Sequence, residues 1–129
     1  MNYIDSSVAL AYLLAESRAP SRSFLESALV SSRLLEYEVW TRLHANGVDD
    51  AIRRSADTLL AGVDLVDLRR DALRRALEPW PTTLRTLDAL HLATAVYLRA
   101  ADEHVELASY DNRMVATAQA LGIPVIDPS

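Results

Sequence analysis

Cysteine and lysine are both missing from this chain of 129 residues. Without cysteine there is neither a disulfide framework nor a thiolate site, which is consistent with a reducing, intracellular setting, and we expect a cytoplasmic protein. Long apolar runs are missing as well. Asp5 interrupts the apolar stretch at residues 1–14, and no segment approaches the roughly 20 apolar residues of a membrane span. The sequence therefore predicts neither a secretory leader nor a membrane segment.

Positive charge is scarce. The chain carries 13 basic residues, all of them arginine, against 18 acidic ones, and its formal net charge is −5. Because non-specific affinity for nucleic acid comes from basic side chains on phosphates, this balance argues against a broad nucleic-acid-binding surface. The planar guanidinium does suit phosphate oxygens, although a GC-rich genome explains the exclusive use of arginine more simply.

The composition, half hydrophobic and 24% charged, predicts one compact domain over residues 1–129. Short β-prone runs alternate with helical segments, and no tight hairpin signal separates them. The alternation predicts an α/β fold with a mainly parallel central sheet flanked by helices. The expected strands are 1–4, 28–31, 63–68, 105–109 and 123–126. The expected helices are 8–15, 21–27, 32–45, 51–61, 71–77, 84–100 and 111–121.

Two acidic residues stand where predicted strands end. Asp5 follows the first strand, and Asp111 follows the strand at 105–109. Ligands of open α/β sheets bind outside the carboxyl ends of the strands, so these carboxylates are candidates for a site. Each also precedes a helix, where helix capping explains an acid equally well. Ser7 is expected to cap the first helix, and Asp49 is expected to be a simple cap of the helix at 51–61.

Asp88 lies within the apolar helix predicted at 84–100. A buried carboxylate is unfavourable unless it is paired, protonated or bound to metal, so Asp88 is a second kind of candidate. An ion pair with Arg85 is the alternative. His91, three residues further on, shares the helix face of Asp88 and could orient a carboxylate, or it could be a purely structural histidine.

Glu38 shares a helix face with Leu34 and Leu35, which turns it toward the interior, but spacing separates it only weakly from Glu36. Carboxylates about 4 Å apart repel by roughly 1 kcal/mol in water and about 4 kcal/mol near a protein surface, so a cluster needs protons or cations. Mg²⁺ and Mn²⁺ prefer such hard oxygen ligands. Two of these ions roughly 3.5–4 Å apart stabilise both oxygens of a phosphoryl displacement. The acids therefore indicate metal-dependent cleavage of a phosphodiester.

Four short motifs, in order, resemble those of PIN domains, and within them the VapC-type toxin ribonucleases of toxin–antitoxin pairs. The resemblance covers essentially the whole chain. It rests on Tyr3–Val8, Tyr37–Val39, Thr86–Ala95, and Ala108–Arg113 followed by Ala120–Ile123.

This resemblance implies hydrolysis of RNA that depends on Mg²⁺ or Mn²⁺, a homodimer, and inhibition by a small cognate antitoxin protein. It implies that the catalytic and metal-binding residues are Asp5, Glu38, Asp88 and Asp111. It favours Glu38 over Glu36, because Val39 and Arg42 match the family pattern. It also implies that two small hydroxyl residues lie near the metal, Ser6 and Ser109.

Other functions remain to be weighed against a ribonuclease toxin. A receiver-like phosphoacceptor resembles this pattern of acids but uses a lysine, which the chain lacks. A phosphatase of the haloacid dehalogenase type would need a second aspartate at position 7, which is serine. A catalytically idle PIN-like module that binds a protein, and a housekeeping or DNA-directed nuclease, stay open.

Overall fold

Four short strands alternate with seven helices in the computed structural model, which describes all 129 residues. The strands are β1 (Asn2–Ile4), β2 (Leu29–Ser32), β3 (Val63–Val66) and β4 (Glu106–Ala108). The helices are α1 (Ser6–Leu13), α2 (Arg22–Leu25), α3 (Leu34–Asn46), α4 (Asp50–Ala61), α5 (Arg70–Leu77), α6 (Thr86–Ala101) and α7 (Asn112–Ala120). None of these helices combines the length and the apolar character needed to cross a bilayer.

The sheet has the order β3-β2-β1-β4, and every strand pair is parallel, which confirms the predicted fold class. From β1 the chain adds β2 and then β3 on one side, whereas β4 returns to the other side of β1. The connections therefore diverge between β1 and β4. Such a switch point leaves a crevice at the carboxyl ends of the two strands, where α/β domains bind ligands.

Helices cover both faces of the sheet. Because side chains alternate along a strand, neighbouring residues of β1 enter different cores. Ile4 packs with helices α1, α3 and α4, and Tyr3 packs with helices α6 and α7. The first core includes Val8, Leu35, Val39, Leu43 and Leu59. The second includes Val30, Leu92, Leu107, Met114 and Ala118.

The strand predicted at 123–126 does not form, and this prediction is wrong. Only one parallel bridge joins Val125 to Leu107 of β4. The Leu107 N–H donates to the Pro124 carbonyl at 2.8 Å, and the Ile126 N–H donates to the Leu107 carbonyl at 2.9 Å. Since Pro124 has no N–H, the ladder cannot extend through it.

Two differences between predicted and observed helix starts affect the acidic residues. Helix α1 begins at Ser6 and is capped by Asp5, not by Ser7. Helix α6 begins at Thr86, two residues later than expected, so Asp88 lies in its first turn. By contrast, Asp49 caps α4 as predicted, because its carboxylate accepts from the Ile52 N–H at 2.9 Å.

Two glycines that end helices offer a matched test of backbone strain. Gly47 follows α3 with φ of 62°, and no atom lies within 4 Å of an added Cβ. Gly47→Ala should therefore destabilise the fold by about 1–2 kcal/mol through the left-handed backbone alone. Gly62 follows α4 with φ of −89°, where an added Cβ makes ordinary contact with the Leu59 carbonyl at 3.5 Å. Gly62→Ala should be neutral or stabilising by about 0.4–1 kcal/mol. Urea denaturation measures both, and equal effects would contradict this explanation.

Candidate active site

A cleft of about 720 Å³ opens at the carboxyl ends of β1 and β4. All four predicted acids line it, together with a fifth, Glu16. Two arginines, Arg42 and Arg85, are the only basic residues in its lining. The topology thus brings together carboxylates from residues 5 to 111, and the local charge of the cleft is negative.

Asp5 is the most buried of these acids, with 4% of its surface exposed. It caps α1, and its Oδ1 accepts from the backbone N–H of Ser7 at 3.1 Å and from the Ser7 hydroxyl at 2.5 Å. Its Oδ2 accepts from the Ser109 hydroxyl at 2.5 Å. Three donors therefore fix both oxygens of this carboxylate.

The two serine hydroxyls are themselves fixed by the loop that follows β4. The Ser7 Oγ accepts from the Tyr110 N–H at 2.9 Å, and the Ser109 Oγ accepts from the Asp111 N–H at 3.0 Å. Ser109 was a predicted neighbour of the site, but Ser7 was predicted only as a helix cap. Its position two residues after a capping aspartate, where its own N–H meets that carboxylate, is the signal that could have found it.

Burial raises the pKa of Asp5 above its usual range, because the charged form loses its hydration. The hydrogen bonds from Ser109 and Ser7 oppose that rise. The net direction means that these donors do not fully offset the loss of hydration.

Glu38 is held in the cleft from two other helices. Its Oε2 accepts from the Ser6 hydroxyl of α1 at 2.9 Å, and its Oε1 lies 2.5 Å from the His91 Nε2 of α6. Only 16% of its side chain is exposed. Glu36 instead lies outside the cleft, 3.5 Å from the guanidinium of Arg33. His91 therefore contacts the carboxylate of Glu38, and not the one on its own helix.

The position of Asp88 differs from the one predicted from the sequence. It is not a charge in the middle of a buried helix, because it occupies the first turn of α6 and is only half-buried. A carboxylate is favourable there. Its pKa is nevertheless raised, first by burial and then by the charge of Asp111, while Arg85 opposes the rise. Arg85 makes no ion pair with Asp88, so the expected alternative is absent.

Asp111 caps α7, accepting from the N–H groups of Arg113 at 2.9 Å and Met114 at 3.4 Å. Asp111 therefore caps a helix, which the sequence left open as an alternative, and it also lines the cleft. Arg113 donates its backbone N–H to this carboxylate, but its exposed side chain does not line the cleft.

The oxygen donors of the cleft suit a divalent cation in their chemistry, but they are not yet arranged around one. Carboxylate and hydroxyl oxygens are the ligands that Mg²⁺ and Mn²⁺ prefer. Burial raises the pKa values of Asp5 and Asp88, and a bound cation would favour their charged forms. No three Asp, Glu or His side chains stand ready in metal-binding geometry. The donor chemistry therefore fits, and binding requires the side chains to draw together.

The fold and the cleft define an α/β domain with an acidic site at the switch point of its parallel sheet. The chain belongs to the PIN domain family, whose model matches residues 3–120. It is 36% identical to Ribonuclease VapC46 of Mycobacterium tuberculosis, over 98% of this chain and 97% of that protein.

Two solved structures share the fold. One is the crystal structure of Mycobacterium tuberculosis VapC20, described as a toxin that cleaves the sarcin-ricin loop. It is 17% identical, has a TM-score of 0.71, and covers 99% of this chain and 100% of its own. The other is a toxin-antitoxin complex from Klebsiella pneumoniae. It is 18% identical, has a TM-score of 0.63, and covers 100% of this chain and 98% of its own.

The raised pKa of Asp5 predicts how stability depends on pH in the metal-free protein. The folded state holds this proton more tightly than the unfolded chain, whose aspartates have a pKa of about 3.9. Stability is therefore lost as pH rises from about 4 through the folded pKa. Asp5→Asn cannot ionise, so it should flatten this dependence by about 1.4 kcal/mol for each pKa unit of difference. Urea denaturation with chelator across pH measures it, and identical slopes in parent and variant would contradict the assignment.

Proposed function

We propose that this chain is a metal-dependent endoribonuclease and the toxin of a type II toxin–antitoxin pair, acting in the cytoplasm. The observation that supports it is the gathering of four separate acids, Asp5, Glu38, Asp88 and Asp111, in one cleft. Membership of the PIN domain family and full-length similarity to a protein named as a ribonuclease support the same activity.

The four carboxylates would hold Mg²⁺ or Mn²⁺. A bound divalent ion would generate a nucleophilic water and offset the negative charge that develops on the leaving oxygen. Asp5 would enter this site already oriented by Ser7 and Ser109, and Glu38 would enter it oriented by Ser6 and His91. Since each carboxylate has about four acceptor positions, both groups keep free lone pairs for this role.

The substrate would be positioned by the arginines at the cleft. Arg42 and Arg85 face the same space as the acids, and a guanidinium can engage a phosphate oxygen pair. Contact with RNA through these two arginines would be local, which is compatible with a net charge of −5.

The antitoxin would bind beside the cleft. A neighbouring groove of about 410 Å³ shares Ser6, Glu38 and Arg42 with the cleft. Its rim carries Tyr37, 68% exposed, and Leu87, 43% exposed. An apolar groove next to catalytic groups suits a helical segment that blocks the site.

A homodimer is part of the proposal, and exposed Leu77 on α5 offers a separate apolar surface for it.

Cleavage of a mixed RNA substrate tests the activity. The parent should cut RNA with Mg²⁺ or Mn²⁺ and stop when chelator is added. Asp5→Asn should lower the rate by at least roughly 100-fold, since even outer partners of metal sites contribute about 10- to 100-fold. Asp57→Asn, which removes an exposed acid of α4 outside the cleft, is the matched control and should retain activity.

The same assay separates the other functions. A DNA oligonucleotide of matching sequence that is cut as fast as the RNA would indicate a DNA-directed nuclease. Absence of cleavage on both, with a folded protein, would favour an idle protein-binding module. Activity that ignores both chelator and Asp5→Asn would refute the mechanism.

Metal binding should also raise the free energy of unfolding of the protein. Because an ion that binds only the folded state stabilises it by RT ln(1 + [L]/Kd), Mn²⁺ at about a hundredfold excess over Kd should add about 2.7 kcal/mol. Asp88→Asn should reduce this gain by removing one ligand and the repulsion with Asp111. Thermal melts with and without Mn²⁺ measure the gain, with Asp57→Asn as control. A melting temperature that does not respond to Mn²⁺ would count against a formed site.

A further inference from the structure

A buried tyrosine stands behind the histidine that contacts Glu38. Tyr3 of β1 is fully buried, and its hydroxyl lies 2.7 Å from the Nδ1 of His91. The opposite ring nitrogen, Nε2, faces the Glu38 Oε1 at 2.5 Å. The chain of contacts thus runs from the centre of the sheet, through an imidazole that is 1% exposed, to a carboxylate of the cleft.

The hydrogen bonds of Tyr3 indicate which nitrogen of His91 carries the ring proton. The Tyr3 oxygen already accepts from the backbone N–H of Ser32 at 3.2 Å, so its own O–H needs an acceptor. The short contact of this hydroxyl, at 2.7 Å, is with the Nδ1 of His91, whereas the nearby hydroxyls of Ser31 and Thr94 donate to the carbonyls of Ile4 and Leu90. We therefore assign Tyr3 as the donor and Nδ1 as the unprotonated acceptor. The ring proton of a neutral His91 is then on Nε2, where it is donated to Glu38.

We infer that Tyr3 and His91 are positioning residues that set the orientation of the Glu38 carboxylate. Tyr3 selects the tautomer of His91 and holds its ring angle, and His91 presents one N–H to one oxygen of Glu38. The catalytic consequence rests on the proposed nuclease function, whereas the tautomer and its effect on Glu38 do not.

The arrangement around Glu38 explains why a second anchor is needed. The Ser6 hydroxyl binds the other carboxylate oxygen at 2.9 Å, but one rotatable O–H leaves the carboxylate free to swing about that contact. The imidazole adds a second point on a rigid ring. That ring is itself locked edge-on against Tyr3, with centroids 5.8 Å apart and planes at 76°. Fixing a ligand through such outer partners is how proteins tune metal sites.

Nitrogen NMR of the histidine rings in the metal-free protein tests the inference directly. In the parent, the Nδ1 of His91 should resonate as an unprotonated nitrogen and Nε2 as a protonated one. Tyr3→Phe keeps the ring shape and removes only the hydroxyl, so this pattern should change. Tyr97→Phe, which alters a partly buried tyrosine of α6 outside the cleft, is the matched control and should leave it unchanged.

Metal affinity and kinetics separate positioning from mere packing. Mn²⁺ titrated into the apo protein should bind roughly 10-fold more weakly to Tyr3→Phe and to His91→Gln than to the parent. At saturating Mn²⁺, kcat for RNA should fall in both variants while KM stays within about twofold, because neither residue reaches the substrate. Tyr97→Phe should match the parent in both measurements.

A protonated Nδ1 in the parent spectrum would overturn the inference. This result needs no variant, so the test remains valid even if Tyr3→Phe fails to fold. Changed ring resonances with unchanged Mn²⁺ affinity would also overturn it, since the contact would then serve packing alone. Should the parent show the expected tautomer and Mn²⁺ response but cut no RNA, the positioning of Glu38 stands and the proposed nuclease function fails.

Discussion

The buried carboxylate of Asp5 and the two serine hydroxyls that bind it hold the functional end of this domain together. Ser7 belongs to α1, and Ser109 follows β4, so their bonds to one carboxylate join segments that are 102 residues apart. Backbone N–H groups after β4 complete the network by donating to those hydroxyls. A charge buried to this extent is tolerable only when such donors surround it. The switch point of the sheet and the candidate site are consequently one structure.

The four acids differ in how firmly the fold holds them. Asp5 and Glu38 each have both oxygens bound by neighbouring groups, so their positions are set before any ligand arrives. Asp88 has no such anchor and is repelled by Asp111 across the cleft. Asp111 lies between these cases, because one of its oxygens accepts from N–H groups at the start of α7. This graded hold explains how a site can have suitable donors without ready metal-binding geometry.

The sequence predicts the order of strands and helices and most of the acidic residues of the cleft. Alternating apolar runs and glycine or aspartate caps predict the parallel α/β order, because these signals are local. The last strand fails because Pro124 limits it to one bridge. Asp88 was chosen for burial in mid-helix, yet it lies in a first turn, since a helix start cannot be read to within two residues.

The contacts between distant segments could not be predicted. Ser7 was read as a local cap, and Tyr3 as an ordinary strand residue, because their partners are 102 and 88 residues away. Family resemblance identified Glu38, and the structure adds that Glu36 points elsewhere. Sequence pattern therefore indicates which residue types gather, whereas hydrogen-bond partners require the folded chain.

A crystal structure grown with Mn²⁺ and measured at the manganese absorption edge tests the central claim most directly. We predict an anomalous peak in the cleft, bonded to Asp5 and at least one of Glu38, Asp88 and Asp111. An empty cleft, or a peak only at surface acids such as Asp49 and Asp50, would contradict it.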